Sequence, residues 1–304
     1  RLHMSDPSEI ASDLVTKMAA LSSRNGHGDK SLHTVSSVIE ECGGLEGLIK
    51  PSDSGITIPW ELIQRLTGKL TPGSMWIIAG RPGAGKSTMA LQMSVQAALS
   101  GHRVSFISLE MPPRELTIKA INFLAGFDSR KEIHSKERRL KTIQAAKSLN
   151  DAPILFWDSK YSDPTMVLSE IESRPDQKPE VLVVDYIQLM RLKGSKYNRN
   201  EELTAISAIL KIMASKHNIA IVSLSQLSRS PEKSGREPDL HDLRDSGSLE
   251  QDADVVIILS AGKKDMNPRP ARAIVAKNRY GPTGYVKLLL HGAASCFTEE
   301  VFAV

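Results

Sequence analysis

The chain has 304 residues, 40% of them apolar and 24% charged, a balance ordinary for a globular protein and long enough for one large domain or two small ones. A net charge of +4 permits a nucleic-acid or phosphate partner without requiring one, so only the placement of the cations is informative. No apolar run nears the roughly 20 residues that span a bilayer, no secretory apolar segment opens the chain, and neither Cys42 and Cys296 nor the eight histidines have metal-ligand spacing; a cytoplasmic, reducing setting is expected, with no membrane partner.

Residues Arg1 to Met4 read as a vector-derived scar, residues 5–50 as N-terminal linker helices and 51–304 as one larger unit. Ile10, Leu14, Met18 and Leu21 place one apolar stripe on a helix over 8–22. A polar, Gly-bearing linker follows over 22–30, and a second short helix over 33–42 ends at Gly43 and Gly44. From residue 74 onward β-rich runs alternate with helical ones. Strands are predicted over 75–79, 104–108, 154–157, 181–185, 219–223, 255–259, 272–276 and 286–290. Helices are predicted over 86–99, 113–125, 136–149, 164–173 and 201–216, the fourth capped by Asp163 with Pro164 at its first position. Continuous apolar strands alternating with helices imply a mostly parallel sheet covered on both faces. The last strands have no helices between them and are expected to pair antiparallel at one edge.

The segment Gly80 to Ser87, G-R-P-G-A-G-K-S, follows a strand and opens a helix, the context that a phosphate loop requires. Its glycines let backbone N–H groups converge on phosphate oxygens, Lys86 reaches the β- and γ-phosphates, and the Ser87 hydroxyl holds Mg²⁺. V-L-V-V-D then supplies Asp185 at a buried strand's tip as the metal-site acid. F-I-S-L-E-M puts Glu110 at another tip, as a base for an attacking water or as an ordinary helix cap. Gln226 ends I-V-S-L-S-Q, where an amide could sense a γ-phosphate, although position alone leaves that open.

In A-I-V-A-K-N-R-Y-G-P-T-G, Lys277 and Arg279 stand at i and i+2, on one face at a strand's end. The spacing fits a two-pronged grip on an anion and equally a solvated strand terminus.

Taken with S-L-E-M (108–111), V-V-D-Y-I-Q-L-M (183–190), S-L-S-Q-L-S-R (223–229) and D-L-R-D-S-G-S-L-E-Q-D-A-D-V-V (242–256), these motifs carry a resemblance over roughly residues 55–295. The chain resembles the RecA-like C-terminal motor domain of hexameric replicative DNA helicases of the DnaB type. The resemblance implies an α/β P-loop NTPase fold, a mostly parallel central sheet flanked by helices, an antiparallel C-terminal edge, and short linker helices in front. It implies ATP and Mg²⁺ as cofactors, with Gly80, Arg81, Pro82, Gly83, Ala84, Gly85, Lys86, Ser87 and Thr88 binding nucleotide, and Ser87 and Asp185 at the metal. Lys86, Asp185, Glu110 as base, Gln226 as sensor, and Lys277 with Arg279 would form the catalytic set. The last two match a pair that reaches the neighbouring subunit's nucleotide, and they have no obvious partner within their own chain, so a homo-oligomeric ring, a hexamer, is expected. Single-stranded DNA would meet Arg244, Asp245 and Gly247, although Arg244 also reads as a structural ion-pair partner; the basic loop 193–200 is a further candidate lining of a central channel. A helicase loader or primase is a candidate partner. The chain departs from the family pattern in lacking the helical domain used for primase contact, in carrying Asp245 where Glu is usual, and in the wording of its phosphate loop. A phage, plasmid or other mobile element fits these departures as well as a host does. The competing function is a RecA-type ATP switch that holds DNA or remodels a partner without processive unwinding.

Overall fold

The computed structural model describes residues 34–49, 55–132, 134–194, 196–228, 236–263 and 266–300. The expected helix over 8–22, its linker and the N-terminal scar lie outside the described residues. Two compact units follow one another, Arg1–Gly55 and Ile56–Val304. In the first, α1 (Val35–Glu41) is capped by Thr34, whose hydroxyl accepts a hydrogen bond from the Ser37 amide, and α2 (Leu45–Ile49) follows the glycine turn.

The second unit is built on one nine-stranded sheet. In chain order its elements begin with α3 (Glu61–Thr67), β1 (Met75–Gly80), α4 (Lys86–Leu99), β2 (Val104–Ser108), α5 (Pro113–Ala125) and α6 (Lys136–Asn150). They continue with β3 (Ile154–Trp157), α7 (Pro164–Ser173), β4 (Val181–Asp185), α8 (Arg199–His217) and β5 (Ala220–Gln226). A 3-10 segment (Leu240–Ser246), α9 (Gly247–Asp252) and β6 (Val255–Ala261) lead to β7 (Arg269–Asn278), β8 (Gly284–His291) and β9 (Cys296–Glu299).

The strand order is β3-β2-β4-β5-β1-β6-β7-β8-β9, parallel from β3 to β6 and antiparallel from there to β9. Strands β1, β2 and β4 are buried along their whole length, which is why β1 and β4 up to Asp185 are apolar runs; β2 carries the buried hydroxyls of Ser105 and Ser108. β7 and β8 instead alternate buried and partly exposed residues, because one face of that edge lacks full helical cover. α7 starts as its sequence indicates, the Asp163 carboxylate accepting from the Thr165 amide at 2.9 Å. α8 begins with a reciprocal cap between Asn198 and Glu201, two residues earlier than its periodicity suggests.

Four short α-helices and strands, α2, α3, α9 and β9, and the 3-10 segment Leu240–Ser246 have no counterpart in the sequence expectations. Several boundaries also shift. The fifth predicted strand runs on to Gln226, and the seventh extends from Arg269 to Asn278, taking Lys277 into the sheet. Between Val275 and Lys277 the register with β6 slips, leaving Ala276 as the extra residue of a bulge.

Candidate functional site

The C-terminal tips of the parallel strands place Gly80, Ser108, Asp185 and Gln226 along one sheet edge, where ligands bind in open α/β folds. A pocket of 320 Å³ opens there, lined by Lys86, Ser87, Thr88, Glu110, Lys119, Tyr186 and Gln226 among others. Gly83 and Gly85 in the loop between β1 and α4 hold φ of 77° and 96°, a curl open to glycine and strained for other residues. The loop is braced from outside: Arg269 donates to the Gly83 carbonyl at 3.0 Å and Arg81 to the Ser228 carbonyl at 3.0 Å. Beneath it, Gln92 of α4 grips β9, donating to the Phe297 carbonyl at 3.0 Å and accepting from its amide at 2.8 Å.

Lys86 donates to the Gly80 carbonyl at 3.1 Å and also approaches that of Arg81 at 3.4 Å. Burial lowers its pKa, opposed by the charges of Asp185 and Glu110 and assisted by Arg81. Asp185 is 1% exposed, and among the described residues neither carboxylate oxygen has a hydrogen-bond partner at bonding geometry. Burial raises its pKa; the neighbouring Ser87 hydroxyl and Lys86 work the other way, and Glu110 adds to the rise. A buried, orphaned carboxylate beside a hydroxyl at a helix start is a donor set that a divalent cation with its waters would complete. The residues therefore fit Mg²⁺, and Ser87 and Asp185 are the ones that would hold it.

Glu110 is exposed at the pocket rim. Its turn is fixed by Ser108, whose hydroxyl donates to the Met111 carbonyl at 2.6 Å and accepts from the Met111 amide at 3.2 Å. Gln226 is also exposed to the pocket, and a glutamine from the 3-10 turn after the neighbouring strand β4 orients it. Gln188 accepts from the Gln226 amide at 3.2 Å and donates to the Ser225 hydroxyl at 2.9 Å. Lys119 of α5, which lines the pocket and raises the positive potential at Asp185, escaped sequence reasoning. So did Gln188, although it lies within the quoted V-V-D-Y-I-Q-L-M motif.

Lys277 and Arg279 lie elsewhere. β7 runs antiparallel to β6, so its end (Asn278) faces the start of β6 (Val255), which itself faces Trp76 at the start of β1. The six-residue β1 thus separates the pair from its own phosphate loop by about 20 Å. The expectation that the two cations lack partners in their own chain is overturned. Lys277 donates to the carbonyls of Glu250 at 2.5 Å and Gln251 at 3.3 Å; Arg279 donates to that of Gln251 at 3.4 Å and meets Asp254 at 3.5 Å. These acceptors belong to the C-terminal end of α9 and the residue before β6. Spare carbonyls at a helix end attract cations, and α9 was not foreseen.

Arg244 and Asp245 fall in the 3-10 segment and Gly247 opens α9, while their side chains lie outside the described residues. The segment is anchored by a two-bonded ion pair of Arg236 with buried Asp242, at 2.6 and 2.9 Å. In the loop 193–200, the expected flexible lining is partly committed inward: Arg199 pairs with Glu202 and donates to the Gln188 carbonyl at 2.7 Å, while Asn198 caps α8.

Residues 55–299 match the DnaB-like helicase C terminal domain family. The chain belongs to that family. It is 37% identical over 263 residues to the replicative DNA helicase DnaB of Leifsonia xyli subsp. xyli, covering 82% of this chain and 56% of that protein. It is 34% identical over 218 residues to a probable plasmid replicative DNA helicase of Chlamydia trachomatis serovar L2, covering 70% and 48%. Among solved structures, an ATPase domain superposes with a TM-score of 0.75 at 27% identity, covering 91% of this chain and all of that one. The chain spans about half the length of these two curated relatives. The mostly parallel, RecA-like fold with an antiparallel C-terminal edge agrees with what the sequence implied. Among the described residues, no helix is long and apolar enough to cross a membrane.

Proposed function

We propose that this chain is the motor portion of a replicative DNA helicase, hydrolysing ATP at the interfaces of a ring and moving along single-stranded DNA to unwind duplex. The observation that supports the reading is the split of the residues expected to be catalytic between two opposite sheet edges. Lys86, Ser87, Glu110, Asp185 and Gln226 share one edge, whereas Lys277 and Arg279 occupy the other, about 20 Å away. A chain so built has an incomplete site for phosphate cleavage until a second copy brings its own cations to the pocket.

Within the pocket, the loop amides and Lys86 bind the triphosphate, and Lys119 adds positive charge beside Asp185. Ser87 and Asp185 would hold Mg²⁺, which would supply charge neutralisation at the phosphates. Glu110, exposed at the rim, accepts a proton from the attacking water; Gln226, held by Gln188, reports the γ-phosphate to β5 and the segment beyond. Arg244, Asp245 and Gly247 contact the DNA backbone. The ring is a hexamer of this chain, and a primase or a loader is its further partner.

The deciding experiment mixes two inactive variants, Lys86→Ala and Arg279→Ala, and follows ATP hydrolysis on single-stranded DNA against each alone. Recovery is expected, because one chain gives the phosphate loop and its neighbour the cation. Silence in a confirmed mixed assembly would refute action between subunits. Wild-type rings should displace a strand, and Glu110→Gln rings should not, while still binding nucleotide; wild-type rings that hold DNA with ATP yet displace no strand would favour an ATP switch.

A further inference from the structure

Arg279 is held by a residue that the catalytic set does not contain. Asp254 sits between α9 and β6, is 2% exposed, and divides its two carboxylate oxygens between different tasks. Oδ2 is saturated: it accepts from the Lys211 ammonium at 2.5 Å and from the Met75 amide at 2.8 Å. Oδ1 has no hydrogen bond among the described residues, and the Arg279 guanidinium approaches it at 3.5 Å. The main chains are joined too, with the Arg279 amide donating to the Asp254 carbonyl at 2.8 Å.

We propose that Asp254 is the positioning residue of the Lys277–Arg279 pair, tethering Arg279 on the sheet edge remote from its own nucleotide so that its charge faces a neighbouring copy. The inference rests on the between-subunit reading above. Three features make the tether suitable. At 3.5 Å the ion pair is longer than a hydrogen bond, so it restricts the guanidinium without itself consuming a donor, while Nη2 also reaches the Gln251 carbonyl at 3.4 Å. The Arg279 side chain remains 44% exposed and able to reach outward. Asp254 is also locked to the start of β1, since the Asp254 amide donates to the Met75 carbonyl at 2.8 Å. The strand that carries the phosphate loop at one end therefore fixes the seat of Arg279 at the other. Lys211 prevents Asp254 from closing a bidentate pair with Arg279, which would hold the cation on its own subunit.

Complementation sorts this role from a structural one. Asp254→Asn should keep nucleotide binding and assembly and lose roughly tenfold to hundredfold in DNA-stimulated hydrolysis, the penalty of misplacing a group that must be aimed. Mixed with Lys86→Ala it should recover activity; mixed with Arg279→Ala it should not, because both variants then lack the same function. The reverse pattern would show that Asp254 serves its own phosphate loop through β1 and would overturn the proposal, as would wild-type turnover or silence in both mixtures. If the reference mixture of Lys86→Ala with Arg279→Ala is itself silent, the between-subunit reading fails first and the proposal with it. Should Asp254→Asn not fold, Lys211→Met disturbs the same carboxylate from a partly exposed position, and the same two mixtures sort it into the Arg279 group if the proposal holds.

Discussion

The Phe297 ring lies against Gly85 so closely that a β-carbon on the glycine would stand 2.5 Å from its Cζ and 2.8 Å from its Cε2. The last strand of the sheet thus forms the floor of the phosphate loop, and Gln92 clamps that strand from α4 on both its amide and its carbonyl. Gly85 meets two independent demands, the contact and a φ of 96°.

Gly85→Ala should therefore fail for two separable reasons. The left-handed backbone alone costs about 1–2 kcal/mol, and the ring contact adds about 1–3 kcal/mol of overpacking. Phe297→Leu in the same chain should recover the second part and leave the first, a non-additivity that denaturant unfolding of the two single variants and the double variant would reveal. Equal destabilisation with and without Phe297→Leu would mean that the ring yields freely.

Asp185 makes stability and function compete. Its folded-state pKa is raised by burial, so the folded protein binds a proton more readily than the unfolded chain does. Stability from this group consequently falls as pH rises from the ordinary carboxylate pKa to the raised one, and stays low above it. Asp185→Asn removes the buried charge. Without nucleotide, it should melt higher than the wild type at neutral pH, with a smaller gain in acid, where the wild-type carboxyl is already neutral. With Mg²⁺ and ATP the order should reverse, because only the carboxylate can hold the cation. A gain independent of pH would show that desolvation is not the cause.

Gln188 positions Gln226 through the latter's main chain, so truncating it should act on turnover rather than on nucleotide affinity. Gln188→Ala leaves the Gln226 amide and the Ser225 hydroxyl without their partner. About a tenfold fall in kcat is expected, with KM nearly constant, as for a group that loses aim in the transition state. Arg199 touches Gln188 through its main-chain carbonyl, a contact that survives the substitution. A rise in KM alone would assign Gln188 to ground-state binding.

How much of this was legible in the sequence depends on the range of the interaction. Lys86 and Ser87 stand in a contiguous loop whose residue types state their purpose. Glu110, Asp185 and Gln226 each end an apolar run, and burial of the run places the polar tip. Lys119 gave no such signal, since it faces the pocket from a helix whose periodicity says only which side is buried. The partners of Lys277 and Arg279 were illegible because they are main-chain carbonyls of a six-residue helix and a carboxylate from a different element. The start of α3 was missed for a related reason. Trp60 at its N-cap gives the first turn no side-chain cap, its indole N–H donating instead to the Phe297 carbonyl at 3.1 Å, and the capping group comes from the other end of the chain.

That capping group is Glu299. Its Oε1 accepts from the amides of Leu62 at 2.7 Å and Ile63 at 3.2 Å, satisfying two donors that the first turn of α3 leaves open. A cap of this kind contributes about 0.5–2 kcal/mol, so Glu299→Ala should lower the melting temperature by a few degrees, and Glu299→Gln, which keeps an acceptor, should lose less. The same strand also touches the phosphate loop through Phe297, which raises the question of whether the cap and the nucleotide are coupled. Phe297 is held by Gln92 and by the Trp60 indole N–H at 3.1 Å, without help from Glu299, so ATP affinity should stay unchanged in Glu299→Ala while stability falls. A parallel loss of affinity would instead mean that β9 moves as one body, and that α3 is tied through it to the nucleotide site.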